Sequence, residues 1–268
     1  MPHPIAQNLY KIQAQTGDHF FKLFDDWMGL ALAAFCKQPG QDDEPYMAIM
    51  RKYGPRTVGR DHPADHFAIA LGAFLLACRT ESALNRTFPD YLGRIYEEES
   101  LAAKYAGQFF TPEPLCQLMT HLTVAPTQDP ISIADPACGS GRFFIAAMPL
   151  APNATFYGTD RDGTCVKMTA LNMLMRNANS YIVHGNTLSL ETWGGYVTRS
   201  TILGGEIQEL GAGTAKAILT NVAQSVAEQT TTVITKPPAA TEPTAELLTN
   251  AAPVTSIATK KGQFDFGF

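Results

Sequence analysis

Large apolar residues recur every three or four positions through the first third of the chain. Phe20, Phe21, Phe24, Trp27, Met28 and Leu32 form one such stripe, and Phe67, Leu71, Phe74 and Leu75 form another. That period predicts amphipathic helices packed around a core, so residues 1–106 read as a helical N-terminal region. The most apolar run, Phe67 to Cys78, covers 12 residues. A membrane helix needs about 20, so this run is expected as a buried helix. Tyr91 to Lys104 reads as an acidic helix with Glu97, Glu98 and Glu99 toward solvent. Leu115, Leu118, Met119 and Leu122 then fall at i, i+3, i+4 and i+7, which predicts a helix laying one apolar face on a core. Thr111 is expected to cap it, with Pro112 at its first position.

From residue 131 the period changes. Strands are expected at 131–135, 154–160 and 181–184, separated by helices from about 140 and at 164–177. Alternation at these lengths predicts parallel β-α-β units. The first strand breaks into Asp135-Pro136-Ala137-Cys138-Gly139-Ser140-Gly141. An acidic Gly-x-Gly turn between a strand and a helix is one recipe for a nucleotide-type cofactor cradle. Glycine lets ligand atoms approach the backbone, the following helix amides point at the ligand, and a switch point in the sheet opens a crevice. A tight corner that binds nothing needs the same glycines. Asp160 ends the second strand, 25 residues beyond Asp135, where it could accept ribose hydroxyls or simply cap the next helix. Asn186, in Gly185-Asn186-Thr187-Leu188 after the third strand, could meet a purine edge or simply make a turn. Three such features at three successive strand ends favour the cofactor crevice.

After Trp193 the character shifts. Residues 197–263 contain no aromatic, and Ala, Thr, Pro and Gly dominate from about 211. Little large apolar surface is available there to offset ordering entropy. Residues 211–268 are therefore expected as a largely disordered linker and C-terminal peptide, with at most a short helix or strand near Ala217 to Val226. Residues 107–210 remain as the sheet-bearing core. A formal charge of −5 argues against a polybasic nucleic-acid coat but leaves room for a local basic face. The densest basic stretch, Arg51 to Arg60, reads as a solvated loop before it reads as a phosphate contact. Cys36, Cys78, Cys116, Cys138 and Cys165 form no C-x-x-C pair, so neither a metal site nor a disulfide framework is expected. With no signal-peptide pattern and no membrane span, the expected compartment is cytoplasmic.

Five stretches together resemble a family: Tyr91-Leu92-Gly93-Arg94-Ile95-Tyr96, GQFFTP at 107–112, DPACGSG at 135–141, Gly158-Thr159-Asp160, and GNTL at 185–188. They resemble the S-adenosylmethionine-dependent adenine-N6 DNA methyltransferases, specifically the modification subunits of type I restriction-modification systems. The resemblance implies an α/β fold: a helical N-terminal region, a partial Rossmann-like methyltransferase sheet with flanking helices, and a flexible C-terminal tail. It implies S-adenosylmethionine as cofactor. Phe109, Phe110 and Thr111 would then stand by its methionine end. Asp135, Ala137, Gly139 and Gly141 would line its amino-acid part, Asp160 its ribose and Asn186 its adenine. The family usually has Asp where Asn186 stands; the amide oxygen would still accept from the adenine amine. DNA and a specificity or other partner subunit are the implied partners.

The family's catalytic motif is an apolar strand ending in Asn-Pro-Pro-aromatic, which binds the amine of a flipped adenine and stacks its ring. Two stretches approach it. Ile218-Leu219-Thr220-Asn221 has the strand-like run and the Asn, followed by Val222-Ala223. Val233 to Ala239 has Pro237 and Pro238, preceded by Lys236 and followed by Ala239. Asn221, Pro237 and Pro238 are thus incomplete catalytic candidates, and a divergent or partner-completed enzyme is expected. The alternative is a non-catalytic cofactor-fold protein. Gln263-Phe264-Asp265-Phe266-Gly267-Phe268 resembles the peptide by which polymerase partners engage the sliding clamp, which would tether such a protein to DNA-maintenance machinery.

Overall fold

The computed structural model describes residues 3–36, 43–59, 61–83, 88–102 and 110–235. Its N-terminal part is helical, as the periodicity predicts. Helix α1 (Pro4–Thr16) opens with the His3 ring accepting from the Ile5 amide and stops at Gly17, in the left-handed region. Helices α2 (Phe20–Cys36), α3 (Glu44–Met50) and α4 (Pro63–Ala83) follow. Leu9 and Ile12 of α1, Phe24 and Trp27 of α2, and Phe74 of α4 are fully buried against one another. The Phe67–Cys78 run is only half buried. Phe67, Ala70, Phe74 and Cys78 face the core, while Ile69 and Leu76 on the opposite face are 53% and 66% exposed. A helix apolar all round has more greasy surface than one contact can cover, and here a single face is used.

Helix α5 (Tyr91–Ala102) corrects a second expectation. At 100° per residue three consecutive side chains cannot share one face, and only Glu98 is exposed; Glu97 turns inward and binds Arg142. Among the described residues of the basic stretch, Arg51 pairs with Glu44, Lys52 with Asp26 and Arg56 with Asp65. That favours the loop reading over a phosphate contact.

Helix α6 (Glu113–Thr123) carries the largest surprise. Its N-cap is Pro112, without a side-chain bond, so Thr111 is not the cap. Leu115, Leu118, Met119 and Leu122 are 44%, 56%, 43% and 77% exposed, while Cys116 and Thr120 face inward. The apolar stripe exists, and it points away from the core.

Strands β1 (Ser132–Asp135), β2 (Thr155–Asp160) and β3 (Asn179–Asn186) pair in parallel, joined by α7 (Arg142–Ala147) and α8 (Gly163–Met175). Helix α8 is the hinge pin of the architecture. Cys165, Met168, Leu171 and Leu174 pack into the N-terminal helices, while Val166 and Met173 pack with Phe144, Phe156 and Ile182 under the sheet. Two further strands, β4 (Glu191–Arg199) and β5 (Glu206–Leu210), extend the sheet antiparallel, in the order β1-β2-β3-β4-β5. The α/β class and the partial Rossmann-like sheet are as expected from the sequence. The switch point is not: among the described residues the strand order never reverses, and β1 is an open edge.

Helix α9 (Ala212–Thr235) replaces the expected linker over its 24 residues. Ala215 and Leu219, one turn apart, are its buried anchors. The cleft described below lies in the compact unit that ends at Val226. Residues 236–268, including Pro237, Pro238 and the Gln263–Phe268 peptide, lie outside the described residues. No described helix is long and apolar enough to cross a membrane.

Candidate functional site

The C-terminal ends of β1, β2 and β3 open into a cleft of about 880 Å³, within the usual range for small-molecule sites. Of the nine cofactor residues inferred from sequence, seven line it: Phe110, Thr111, Asp135, Ala137, Gly139, Asp160 and Asn186. Phe109 lies outside the described residues. Gly141 is not a lining residue. It sits behind the turn as the N-cap of α7, with φ 85°, packed toward Thr169. The strand ends therefore converge on one space, although its far wall is Phe110, Thr111, Cys116 and Met119 rather than another strand.

Backbone amides in the first turn are engaged within the protein. Ala137 N–H donates to Asp135 Oδ1 at 3.0 Å, Cys138 N–H to the Thr159 carbonyl at 3.0 Å, Gly139 N–H to Asp160 Oδ2 at 2.9 Å and Gly141 N–H to the Cys138 carbonyl at 2.8 Å. A phosphate cradle needs such amides free. Those four turn amides are therefore not what this site offers a ligand. It offers carboxylates. Asp135 and Asp160 both line the cleft, and neither has an ion-pair partner among the described residues. Burial raises the Asp135 pKa above the ordinary aspartate value; the Ala137 amide opposes this and the Asp160 charge adds to it. A half-buried pair of acids facing open space suits a ligand with positive charge and hydroxyl donors.

The alternative roles separate cleanly. The cap of α8 is Asp162, whose Oδ1 accepts from Thr164 N–H at 2.8 Å, so Asp160 is free of that duty. Asp160 Oδ1 accepts from Asp162 N–H at 2.9 Å, and a carboxylate has further lone pairs for ribose hydroxyls. Asn186 does make the turn: its Oδ1 accepts from Leu188 N–H at 3.0 Å and Ser189 N–H at 3.4 Å. Its amide NH2, not its oxygen, is thus the group left to face a purine. Thr187, which the sequence reading passed over, donates to the Pro136 carbonyl at 2.7 Å and ties the third strand end to the first.

Asn221 is not brought to the cleft. The segment Ile218–Asn221 is helical within α9, and Asn221 lies on its exposed side. None of the five cysteines forms a disulfide, and burial pushes the Cys36 and Cys78 thiols up to about 11, which makes them poor nucleophiles.

A model of the N-6 DNA methylase family matches residues 88–239, more than half of the chain. Among curated relatives, the type I restriction enzyme MjaIX methylase subunit of Methanocaldococcus jannaschii is 26% identical over 148 residues, 53% of this chain and 23% of the relative. The type I restriction enzyme MpnII methylase subunit of Mycoplasma pneumoniae is 27% identical over 100 residues, 34% of this chain and 18% of the relative. The chain thus spans less than a quarter of the length of either. A class I S-adenosylmethionine-dependent methyltransferase from Listeria monocytogenes aligns with 68% of this chain and 50% of its own, at 14% identity and a TM-score of 0.40. The match begins at Phe88, at the threshold of α5, and takes in every strand end that forms the cleft. The chain belongs to the N-6 DNA methylase family.

Proposed function

We propose that this chain binds S-adenosylmethionine in the β1–β3 cleft and is the cofactor-holding part of an adenine-N6 DNA methyltransferase. The observation that carries the reading is the convergence of seven inferred cofactor residues, Asp135 and Asp160 among them, on one cleft. The chemistry of the donor set fits. The cofactor has no phosphate, its ammonium and sulfonium are cationic, and its ribose supplies hydroxyl donors. Asp135 would hold the ammonium, Asp160 the ribose hydroxyls, and the Asn186 amide NH2 an acceptor nitrogen of the adenine. Phe110 and Thr111 would close the methionine end. When bound, the cofactor supplies an electrophilic methyl group.

Transfer needs acceptors for the protons of the target amine and a ring to stack the flipped base. Among the described residues that line the cleft, no Asn-Pro-Pro-aromatic sequence is present. Two features favour completion by a partner: β1 is an edge strand among the described residues, and the apolar stripe of α6, whose Met119 lines the cleft, is exposed. A partner subunit seated there would exclude water and bring the missing acceptors to DNA.

Incubation with labelled cofactor and mixed DNA tests the assignment. The expected result is little or no label in DNA from this chain alone, and adenine-N6 label once a partner subunit is added. Transfer by the chain alone that disappears on Asn221→Ala would replace the partner-completed reading with a divergent, self-sufficient enzyme. Absence of transfer with every partner, despite cofactor binding, would favour the non-catalytic reading.

A further inference from the structure

The run Asp90 to Tyr96 lies within the matched segment, yet none of its residues lines the cleft. Asp90 is 1% exposed and its carboxylate takes four donors. Oδ1 accepts from Gly93 N–H and from Asn172 Nδ2, each at 2.9 Å. Oδ2 accepts from Arg142 Nε at 2.9 Å and from the Ser140 hydroxyl. Gly93 has no room for a side chain: a Cβ there would stand 2.0 Å from Asp90 Oδ2 and 2.6 Å from Ser140 Oγ. Arg176 steadies the approach to Asp90, donating to the carbonyls of Phe88 and Pro89 at 2.8 and 3.2 Å and stacking on the Phe88 ring.

Arg142 carries the connection onward. Its Nη1 and Nη2 donate to Glu97 at 3.0 and 2.6 Å, a bidentate pair. Burial works against its charge, but Glu97 and Asp90 outweigh that and hold its pKa above the ordinary arginine value. Glu97 Oε1 also accepts from Phe110 N–H at 3.0 Å, and Arg142 Nη1 reaches the Thr111 carbonyl at 3.4 Å. The Phe110 ring in turn lies over Gly139, where a Cβ would be 2.8 Å from it. One buried ionic chain therefore joins two walls of the cleft, Gly139–Arg142 and Phe110–Thr111.

We propose that Asp90, Arg142 and Glu97 form a positioning unit that holds these two walls together around the amino-acid end of the methyl donor. The inference rests on the cofactor reading above. The nucleoside end is carried by Asp160 on β2 and Asn186 on β3, outside the unit, with Asp160 Oδ2 also holding the Gly139 N–H. Loosening the unit should therefore weaken recognition of the amino-acid part and spare the nucleoside part.

The test is calorimetric titration of the full chain with S-adenosylmethionine and with 5′-methylthioadenosine, which keeps adenine and ribose but lacks the amino-acid part. Glu97→Gln and Asp90→Asn are compared with Ser180→Ala, which removes a buried hydroxyl pair to Thr198 elsewhere in the sheet. Loss of one charge-assisted bond of the unit is expected to weaken S-adenosylmethionine about tenfold and leave the thioadenosine within about twofold. Backbone hydrogen exchange should quicken at 110–111 and 139–142 together. Equal weakening of both ligands, matched by Ser180→Ala, would overturn the proposal as mere global loosening. Should Asp90→Asn fail to fold, Glu97→Gln carries the comparison alone. Failure of the unaltered chain to bind either ligand would remove the cofactor reading instead. Joint exchange at the two walls would then still support the coupling, and unchanged exchange would end it.

Discussion

The three parallel strands and the segment that follows them share one sheet but are constrained by different things. At the ends of β1, β2 and β3 several polar groups have an assigned place. Asp135 and Asp160 receive turn amides, Thr187 ties two strand ends together, and Asp90 gathers four donors beneath the turn. Beyond β3 the chain makes a two-strand antiparallel extension and a helix anchored by Ala215 and Leu219. There the backbone does most of the work, and the side chains at the family's expected catalytic position form no site among the described residues. The difference is one of placement: polar side chains gather around the cleft at the first three strand ends, and no described residue of β4, β5 or α9 lines it.

The sharpest way to break the comparison is through packing. Phe144 is fully buried between the sheet and α8, and Phe144→Ala is expected to cost about 3–5 kcal/mol in a denaturant melt. Asn221→Ala, exposed on α9, should leave both stability and cofactor affinity unchanged within about 0.5 kcal/mol. A large effect at Asn221 would mean that the second region holds a site after all.

Next in size is Asp160→Ala, expected to weaken S-adenosylmethionine by roughly a hundredfold through lost charge-assisted bonds. A subtler prediction concerns Asp135. Its folded pKa is raised, so between the ordinary aspartate value and that raised value the folded state holds more proton than the unfolded one. Stability of the ligand-free chain therefore falls as pH rises through that window. Asp135→Asn should raise the ligand-free melting temperature by a few degrees, roughly, at neutral pH, with the gain vanishing below the ordinary aspartate value. Cofactor affinity in the unaltered chain should have the opposite pH dependence, falling as acid protonates Asp135. The smallest effect is expected on α6: Leu118→Glu should change the stability of the isolated chain by no more than about 0.5 kcal/mol, because that side chain is 56% exposed.

What was legible in the sequence follows the same divide. The strand–turn–helix order and the residues at the strand ends were readable because ligand chemistry restricts residue type: an acid, a Gly-x-Gly turn, an Asn before a turn. The positioning residues were harder. Asp90 and Arg142 look like ordinary surface charges until the fold sets them side by side, although Gly93, three residues after Asp90, was a trace of the crowding there. The α6 stripe misled for a different reason. Helical spacing gives the existence of an apolar face but says nothing of what covers it, and the face is exposed. Of helix α9 only a short stretch near Ala217 to Val226 is legible, because Thr, Val and Gly lower its propensity and, among its described side chains, only Ala215 and Leu219 are buried.

The central claim is that the cleft at the ends of β1–β3 holds S-adenosylmethionine. Isothermal titration of the full chain with that cofactor, repeated on Asp135→Ala, tests it most directly. Saturable one-site binding that Asp135→Ala abolishes is the predicted result. An affinity unchanged by the substitution would contradict it.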